Sequence, residues 1–247
     1  MSLLDRFNVG SDQTGTISAH LSTRLRLPPY FWYNLAKRCL DLTVALILLI
    51  VLSLVFAVLA IAIKLDSRGP VIFKQTRVGK GGKVFTFFKF RSMRQDADPR
   101  LHEEHMRRLI LGSDAGAPTS AASRSDASNR AGKLANDPRI TRVGRIIRRA
   151  SIDELPQFWN VLVGDMSLVG PRPALPSEVD QYSLADRRRL DVIPGITCIW
   201  QVSGRSEIPF PEQVKLDVRY IESSSPWQDI LILLKTVPAV LLGRGAY

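Results

Sequence analysis

The sequence predicts an α/β protein: a small domain joined to an N-terminal membrane helix, re-entrant or spanning, with amphipathic helices at its surface. Three observations predict it. From Leu42 to Ile63 there are 22 residues without a charge, and a bilayer core takes about 20 apolar residues to cross. Residues 71–90 read as two strands about a glycine-rich turn. Residues 142–150 and 155–163 carry apolar side chains at helical spacing.

The chain has 247 residues, 45% of them apolar, enough for one sizeable core or a core with a small appendage. Its net charge of +11 points to an anionic partner: nucleic acid, an acidic membrane surface or phosphorylated substrates. Cys39 and Cys198 are too few for a disulfide framework or a four-thiolate metal site. His20, His102 and His105 all lie in the first 105 residues, so acid–base chemistry is expected to fall to carboxylates.

Residues 1–35 are read as an N-terminal extension, polar and disordered at its start; Pro28-Pro29 close its most polar part. They hold no signal-peptide core. Residues 36–64 are the membrane helix, with a buried helix of a soluble protein as the alternative. The run is apolar on all sides rather than along one stripe, which favours the membrane. Arg24, Arg26, Lys37 and Arg38 precede it; Lys64, Arg68, Lys74, Arg77, Lys80 and Lys83 follow. Positive charge collects on the cytoplasmic side, so basic flanks at both ends suit a hairpin that enters and leaves by one face. Residues 65–247 form the remaining, cytoplasmic domain.

Within it, Gly79-Lys80-Gly81-Gly82-Lys83 is read as a hairpin turn, since no Gly-Lys-Ser/Thr follows to make a phosphate loop. Residues 112–133 contain no large apolar side chain and are expected to be a mobile loop. The helix from Arg142 to Ala150 sets Val143, Ile146, Ile147 and Ala150 on one face and Arg142, Arg145 and Arg149 on another. Trp227 to Leu242 suits either an interfacial helix or a core helix.

Two registers compete at Ser151-Ile152-Asp153-Glu154-Leu155-Pro156. Ser151 with Glu154 makes a capping box, but that puts Pro156 too deep in the helix. With Asp153 as N-cap, Pro156 falls in the first turn, and Leu155, Phe158, Trp159, Leu162 and Val163 make a packed face. Two adjacent carboxylates then stand close behind arginines, Arg148 among them. Carboxylates and phosphate share a site when a divalent cation lies between them. The pair therefore reads either as a plain cap or as an Mg²⁺-dependent phosphoryl-transfer site. Further on, Pro171 and Pro173 fix the backbone on both sides of Arg172, which suits contact with an anion.

KRCLD (37–41), the apolar run, FKFRSM (88–93), RRASIDELPQFWNVLVGDMSLVGPRP (148–173), PGIT (194–197) and VSGR (202–205) resemble the bacterial sugar transferases. More narrowly, they resemble the monotopic phosphoglycosyl transferases that start lipid-linked glycan assembly. The likeness runs from about Lys37 to the C-terminus, leaving out 112–133. It implies a membrane-associated catalytic domain that takes a nucleoside diphosphate sugar, a UDP-sugar foremost, and polyprenyl phosphate. Polyprenyl-diphosphate-sugar and a nucleoside monophosphate would be the products. Carried over, Asp153 is the nucleophile, Asp153 and Glu154 hold Mg²⁺, Arg148 binds phosphate and Arg172 shapes the site. Arg205, Lys89 and Arg91 are further phosphate- or substrate-binding candidates. The family usually breaks its membrane helix at Ser-Pro; here the pair is Ser53-Leu54.

The implied location is the bacterial inner membrane, with lipid contact, no nucleic-acid partner and a homodimer left open. The sugar and the pathway are not specified. A basic nucleic-acid-binding protein would leave the apolar run unexplained and would show salt-dependent DNA binding. A non-catalytic membrane scaffold would leave the Asp-Glu pair unexplained and show no Mg²⁺-dependent turnover.

Overall fold

A computed structural model describes residues 29–94, 139–204 and 208–241. Residues 1–28, the loop read at 112–133 and Arg205 lie outside the described residues. The first helix, α1 (Pro29–Val51), begins at a proline, which is tolerated at a helix start because the missing N–H has no partner there. Residues 29–35, read from the sequence as part of the extension, are thus helical. Helix α2 (Ser53–Asp66) follows after Leu52 with a bend of 60°. No single described helix is long and apolar enough to cross a membrane; only the bent pair reaches that length and hydropathy.

The bend forms at Leu52-Ser53 without a proline. Leu52 N still donates to Leu48 O (2.9 Å) and Phe56 N to Leu52 O (2.8 Å), so the helical bonds run up to the break and resume after it. Leu46, Ile47, Ile50, Val51, Leu54, Val58 and Ile61 are each half or more exposed.

Both outer ends of the pair are fastened to one body. Near the start, Arg38 donates to the carbonyls of Val161 (2.6 Å) and Leu162 (2.9 Å). These lie in the last turn of α4 (Gln157–Val163), where carbonyls lack intrahelical partners. Asp41 accepts from Leu168 N at 3.0 Å, and Lys37 pairs with Asp229 at 2.9 Å. At the far end Asp66 accepts from Val143 N (2.8 Å), in α3 (Arg142–Arg149). The basic residues Lys37 and Arg38, read as topology markers, are therefore structural fasteners as well.

Strands β1 (Ile72–Val78) and β2 (Val84–Phe90) form an antiparallel hairpin with Gln75 opposite Phe87 and Phe73 opposite Lys89. Its connection is a turn, as expected: Gly79 N donates to Lys83 O (2.8 Å), and Gly81 and Gly82 take φ of 66° and 80°, conformations that favour glycine. A second, parallel pair joins β3 (Ser167–Val169) to β4 (Gly195–Thr197). Short helices α5 (Pro176–Val179) and α6 (Ile199–Ser203) lead to the longer α7 (Phe210–Ser223) and α8 (Pro226–Leu241). The protein is thus mixed helix and strand, with helix predominant among the described residues.

The main core gathers Ala45, Phe87, Val161, Met166, Leu168, Val169, Tyr220 and Ile232. A second cluster joins Ile63, Phe90 and Ile147. Of the packed face expected along α4, Phe158 and Leu162 pack on the main core and Leu155 on the second cluster, but Trp159 and Val163 need correction. Gln157, Asn160 and Val161 are buried, whereas Trp159 and Val163 are more than half exposed. The reason is Asn160, whose amide bonds the neighbouring strand and turns that side of α4 inward. Its Nδ2 donates to Thr86 O (2.7 Å) and its Oδ1 accepts from Phe88 N (3.2 Å). Trp159 instead lines an apolar groove with Leu49, Phe56, Ala60, Ile72 and Phe88.

Candidate active site

The Asp-Glu pair sits on a single 3₁₀ turn, Ile152–Glu154, between α3 and α4. Neither expected capping register is present. Ser151 takes φ 56°, in the left-handed region, and makes no side-chain cap; α4 starts at Gln157, after Pro156, with no side-chain cap. Proline before the helix needs no N–H, so the turn and the helix are separate elements. The left-handed residue costs about 1–2 kcal/mol and reverses the chain so that Asp153 is buried.

Strand β2 brings Lys89 onto this turn. Asn160 holds the backbone of Thr86 and Phe88, and strand alternation then sends Phe87 and Lys89 to one face. Lys89 Nζ lies 2.9 Å from Glu154 Oε1 and 3.7 Å from Asp153 Oδ2. Arg172 Nη1 is 3.7 Å from the same Glu154 oxygen. Arg172 arrives from the β3–β4 side. Gly170 and Gly195 make this possible, since a Cβ on Gly195 would lie 2.1 Å from Gly170 N. Gly195 N also donates to Pro171 O (2.9 Å), at the start of Pro171-Arg172-Pro173.

A residue that the sequence reading took only as a flanking positive charge completes the arrangement. Arg77 is buried, and its Nη1 donates to Pro173 O at 3.1 Å. Beside it Val78 N donates to Ala174 O at 2.9 Å, so β1 carries the Arg172 turn along its edge. Burial lowers the Arg77 pKa to about 10, and the nearby Arg172 charge adds to the effect; Glu178 and Glu154 oppose it. Phe87 separates the two cations: its ring lies 5.4 Å from Arg77 and 5.5 Å from Lys89. The available signal was alternation, because Arg77 in β1 shares its sheet face with Phe87 and Lys89 in β2.

Asp153, Glu154, Lys89 and Arg172 are therefore brought together. Arg148 stands in the last turn of α3, half-buried, its carbonyl accepting from Ser151 N (3.0 Å) as the chain turns toward Asp153. Arg91 is not brought in. It is buried at the end of α2, where its guanidinium donates to the carbonyls of Ser67 (2.6 Å), Ile63 (3.2 Å) and Pro70. Ile63 lies in the last turn of α2 and Ser67 and Pro70 follow it, so Arg91 ties down the end of α2 rather than facing the carboxylates. Its neighbour Lys89 takes the opposite course because β2 ends at Phe90, so strand alternation does not extend to Arg91.

The two carboxylates fit a divalent cation in donor chemistry: hard oxygens, one or two per ion, leaving room for phosphate and water. A cationic group, the Lys89 ammonium, already rests against both. Among the described residues no group of three or more His, Cys, Asp or Glu side chains could hold a metal, so any such ion would lean on substrate oxygens.

A bent helix pair is thus fastened to a small mixed domain in which buried Asp153 and part-buried Glu154 meet Lys89 and Arg172. Residues 32–243 match the sequence model of the bacterial sugar transferase family, and the chain belongs to that family. Among its relatives is the galactosyl transferase CpsE of Streptococcus agalactiae, 44% identical over 245 residues. That match covers 97% of this chain and 50% of CpsE. The exopolysaccharide production protein ExoY of Rhizobium meliloti is 37% identical, covering 87% of this chain and 89% of ExoY. The undecaprenyl-phosphate galactose phosphotransferase of Salmonella typhimurium is 41% identical over 85% of this chain and 41% of its own length. The chain thus spans about half of the larger relatives and most of ExoY.

Proposed function

We propose that the protein transfers a sugar 1-phosphate from a nucleoside diphosphate sugar, foremost a UDP-sugar, to polyprenyl phosphate at a membrane surface. This would be an early membrane step of polysaccharide assembly. The observation that carries the reading is the buried Asp153 beside Glu154, Lys89 and Arg172. Relatives named for undecaprenyl-phosphate galactose and glucose transfer support the acceptor.

In the first step an Asp153 carboxylate oxygen attacks the sugar-bearing phosphorus. The bond from that phosphorus to the bridging oxygen breaks, and nucleoside monophosphate leaves with the electron pair. In the second step a phosphate oxygen of the lipid attacks the same phosphorus, and the Asp153 carboxylate is released. Splitting the transfer in this way replaces one difficult encounter by two easier ones. Lys89 and Arg172 offer hydrogen-bond donors to the phosphate oxygens as charge shifts. Asp153 and Glu154 would hold Mg²⁺, which supplies further neutralisation of phosphate charge when bound.

The acceptor has a place to lie. An apolar groove of about 620 Å³ runs between the helical hairpin, the β-hairpin and α4, and Pro156 in its wall is two residues from Glu154. Exposed Trp227, Leu234 and Val237 on α8 give a further lipid-facing surface. The fastening of both ends of the α1–α2 pair to one body supports a re-entrant hairpin, and its basic flanks suit residues 65–247 on the cytoplasmic side. Single cysteines placed near Arg24 and near Lys83, in a background lacking Cys39 and Cys198, should be labelled from the same side of inverted vesicles. Labelling from opposite sides would make the pair a simple span.

The catalytic reading is tested without acceptor. Given nucleotide sugar alone, the enzyme is expected to release at most one equivalent of nucleoside monophosphate and to keep the phosphosugar on Asp153, located by mass spectrometry of the trapped protein. An adduct on another residue, or no release until lipid is added, would count against the two-step course.

A further inference from the structure

The carboxylate pair already has cationic partners from within the chain. Lys89 Nζ touches Glu154 Oε1 at 2.9 Å and approaches Asp153 Oδ2 at 3.7 Å, and Arg172 Nη1 approaches the same Glu154 oxygen at 3.7 Å. Lys89 and Arg172 thus stand against the two carboxylates, with buried Arg77 close by. All four are largely shielded from water: the side chains of Asp153, Lys89, Glu154 and Arg172 are 12%, 18%, 22% and 35% exposed. Charges at this distance and burial interact far more strongly than at an open surface.

A divalent cation entering this corner meets two obstacles. It must take the Glu154 oxygen that Lys89 holds, and it adds positive charge to a partly buried site that already holds Lys89 and Arg172. A nucleoside diphosphate removes both. Its phosphates supply negative charge, and their oxygens accept the hydrogen bonds that Lys89 gives up. The ammonium has somewhere to rest during the exchange, since the Phe87 ring lies 5.5 Å away and its face attracts a cation.

We propose that Lys89 is the resident counter-ion of the Asp153–Glu154 pair, displaced by the divalent cation and passed to the donor's phosphate, so that cation and diphosphate bind as a coupled couple. The identity of those ligands rests on the function proposed above; the coupling itself is a property of this chain. Coupling is reciprocal, so the diphosphate must tighten the cation by the factor with which the cation tightens it.

The test is a titration with Mn²⁺ alone, followed by the electron paramagnetic resonance of the free ion, on the full chain in detergent. It is repeated with UDP, a diphosphate with no sugar to transfer, after correction for Mn²⁺–UDP binding in solution. The wild-type protein is expected to bind Mn²⁺ weakly alone and roughly 10-fold or more tighter with UDP. Lys89→Met is expected to bind Mn²⁺ alone roughly 10-fold tighter than wild type, with most of the UDP enhancement gone. Lys89→Arg keeps the charge and should follow wild type; Lys89→Gln serves if the Met variant does not fold. Unchanged or weaker Mn²⁺ binding in a folded Lys89→Met or Lys89→Gln protein would overturn the proposal and leave Lys89 a phosphate ligand only. Absence of any UDP enhancement in wild type would overturn it too. Release of nucleoside monophosphate by wild type reports separately on the function, so the two failures are distinguishable.

Discussion

Asp153→Asn is expected to fold like the wild-type chain and to lose turnover by roughly 10³-fold or more, because an amide cannot form the phosphoryl adduct. Folding survives for reasons that the structure supplies. Asp153 caps no helix: it lies within the 3₁₀ turn, and α4 begins beyond Pro156. Asn has the same shape. Its loss of charge weakens the longer of the two Lys89 contacts, 3.7 Å against 2.9 Å, so Lys89 stays on Glu154. Glu154→Gln should also lose activity, but differently. It removes the charge behind the shorter Lys89 contact and one oxygen of the proposed metal pair, so part of the activity is expected to return at high Mg²⁺. Activity assays over a magnesium series, beside thermal melts of each variant, separate the two. A fully active Asp153→Asn enzyme would remove Asp153 as the nucleophile.

The parts of the site legible in the sequence are those whose chemistry is local. Asp153 and Glu154 are adjacent, and Pro171-Arg172-Pro173 announces a held guanidinium in three residues. What the sequence could not show is which distant carbonyl a buried cation serves. Arg77 and Arg91 both lie in basic, strand-like surroundings, yet one donates to Pro173, 96 residues away, and the other closes the helix that precedes it. Lys89 and Arg91 are two residues apart and would share a face in an ideal strand. β2 ends at Phe90, so alternation no longer governs Arg91. The capping registers failed for a related reason. Both assumed one continuous helix, whereas Ser151 in the left-handed region and Pro156 set a separate turn between two helices. The apolar run was legible in length and not in shape, because the bend at Leu52-Ser53 forms without the proline that would have marked it.

The largest stability effect is expected where α1 is fastened. Lys37 reaches across to Asp229, on α8, at 2.9 Å, and also donates to Val169 O at 2.9 Å. Asp229 is 2% exposed and accepts from Tyr220 (2.7 Å) and Tyr33 (3.1 Å) as well. Burial, with the Asp229 charge second, drives the Tyr220 phenol far above its ordinary pKa, so it remains a donor at any workable pH. Hydroxyls can share a buried carboxylate's charge but cannot neutralise it. Lys37→Met should therefore cost about 3–5 kcal/mol, the usual result of stranding one member of a buried ion pair. For a chain of this size that is a fall in melting temperature of about 10 °C. The loss should propagate to the site, because Val169 precedes Gly170 and the Arg172 turn. Lys37→Met with Asp229→Leu removes both charges and should recover much of the stability, since two apolar side chains strand no charge in the core. Calorimetric melts of the single and double variants give the comparison. A double variant no more stable than Lys37→Met would show that α1 is held by packing around Ala45 and by Arg38 on the end of α4, with the ion pair adding little.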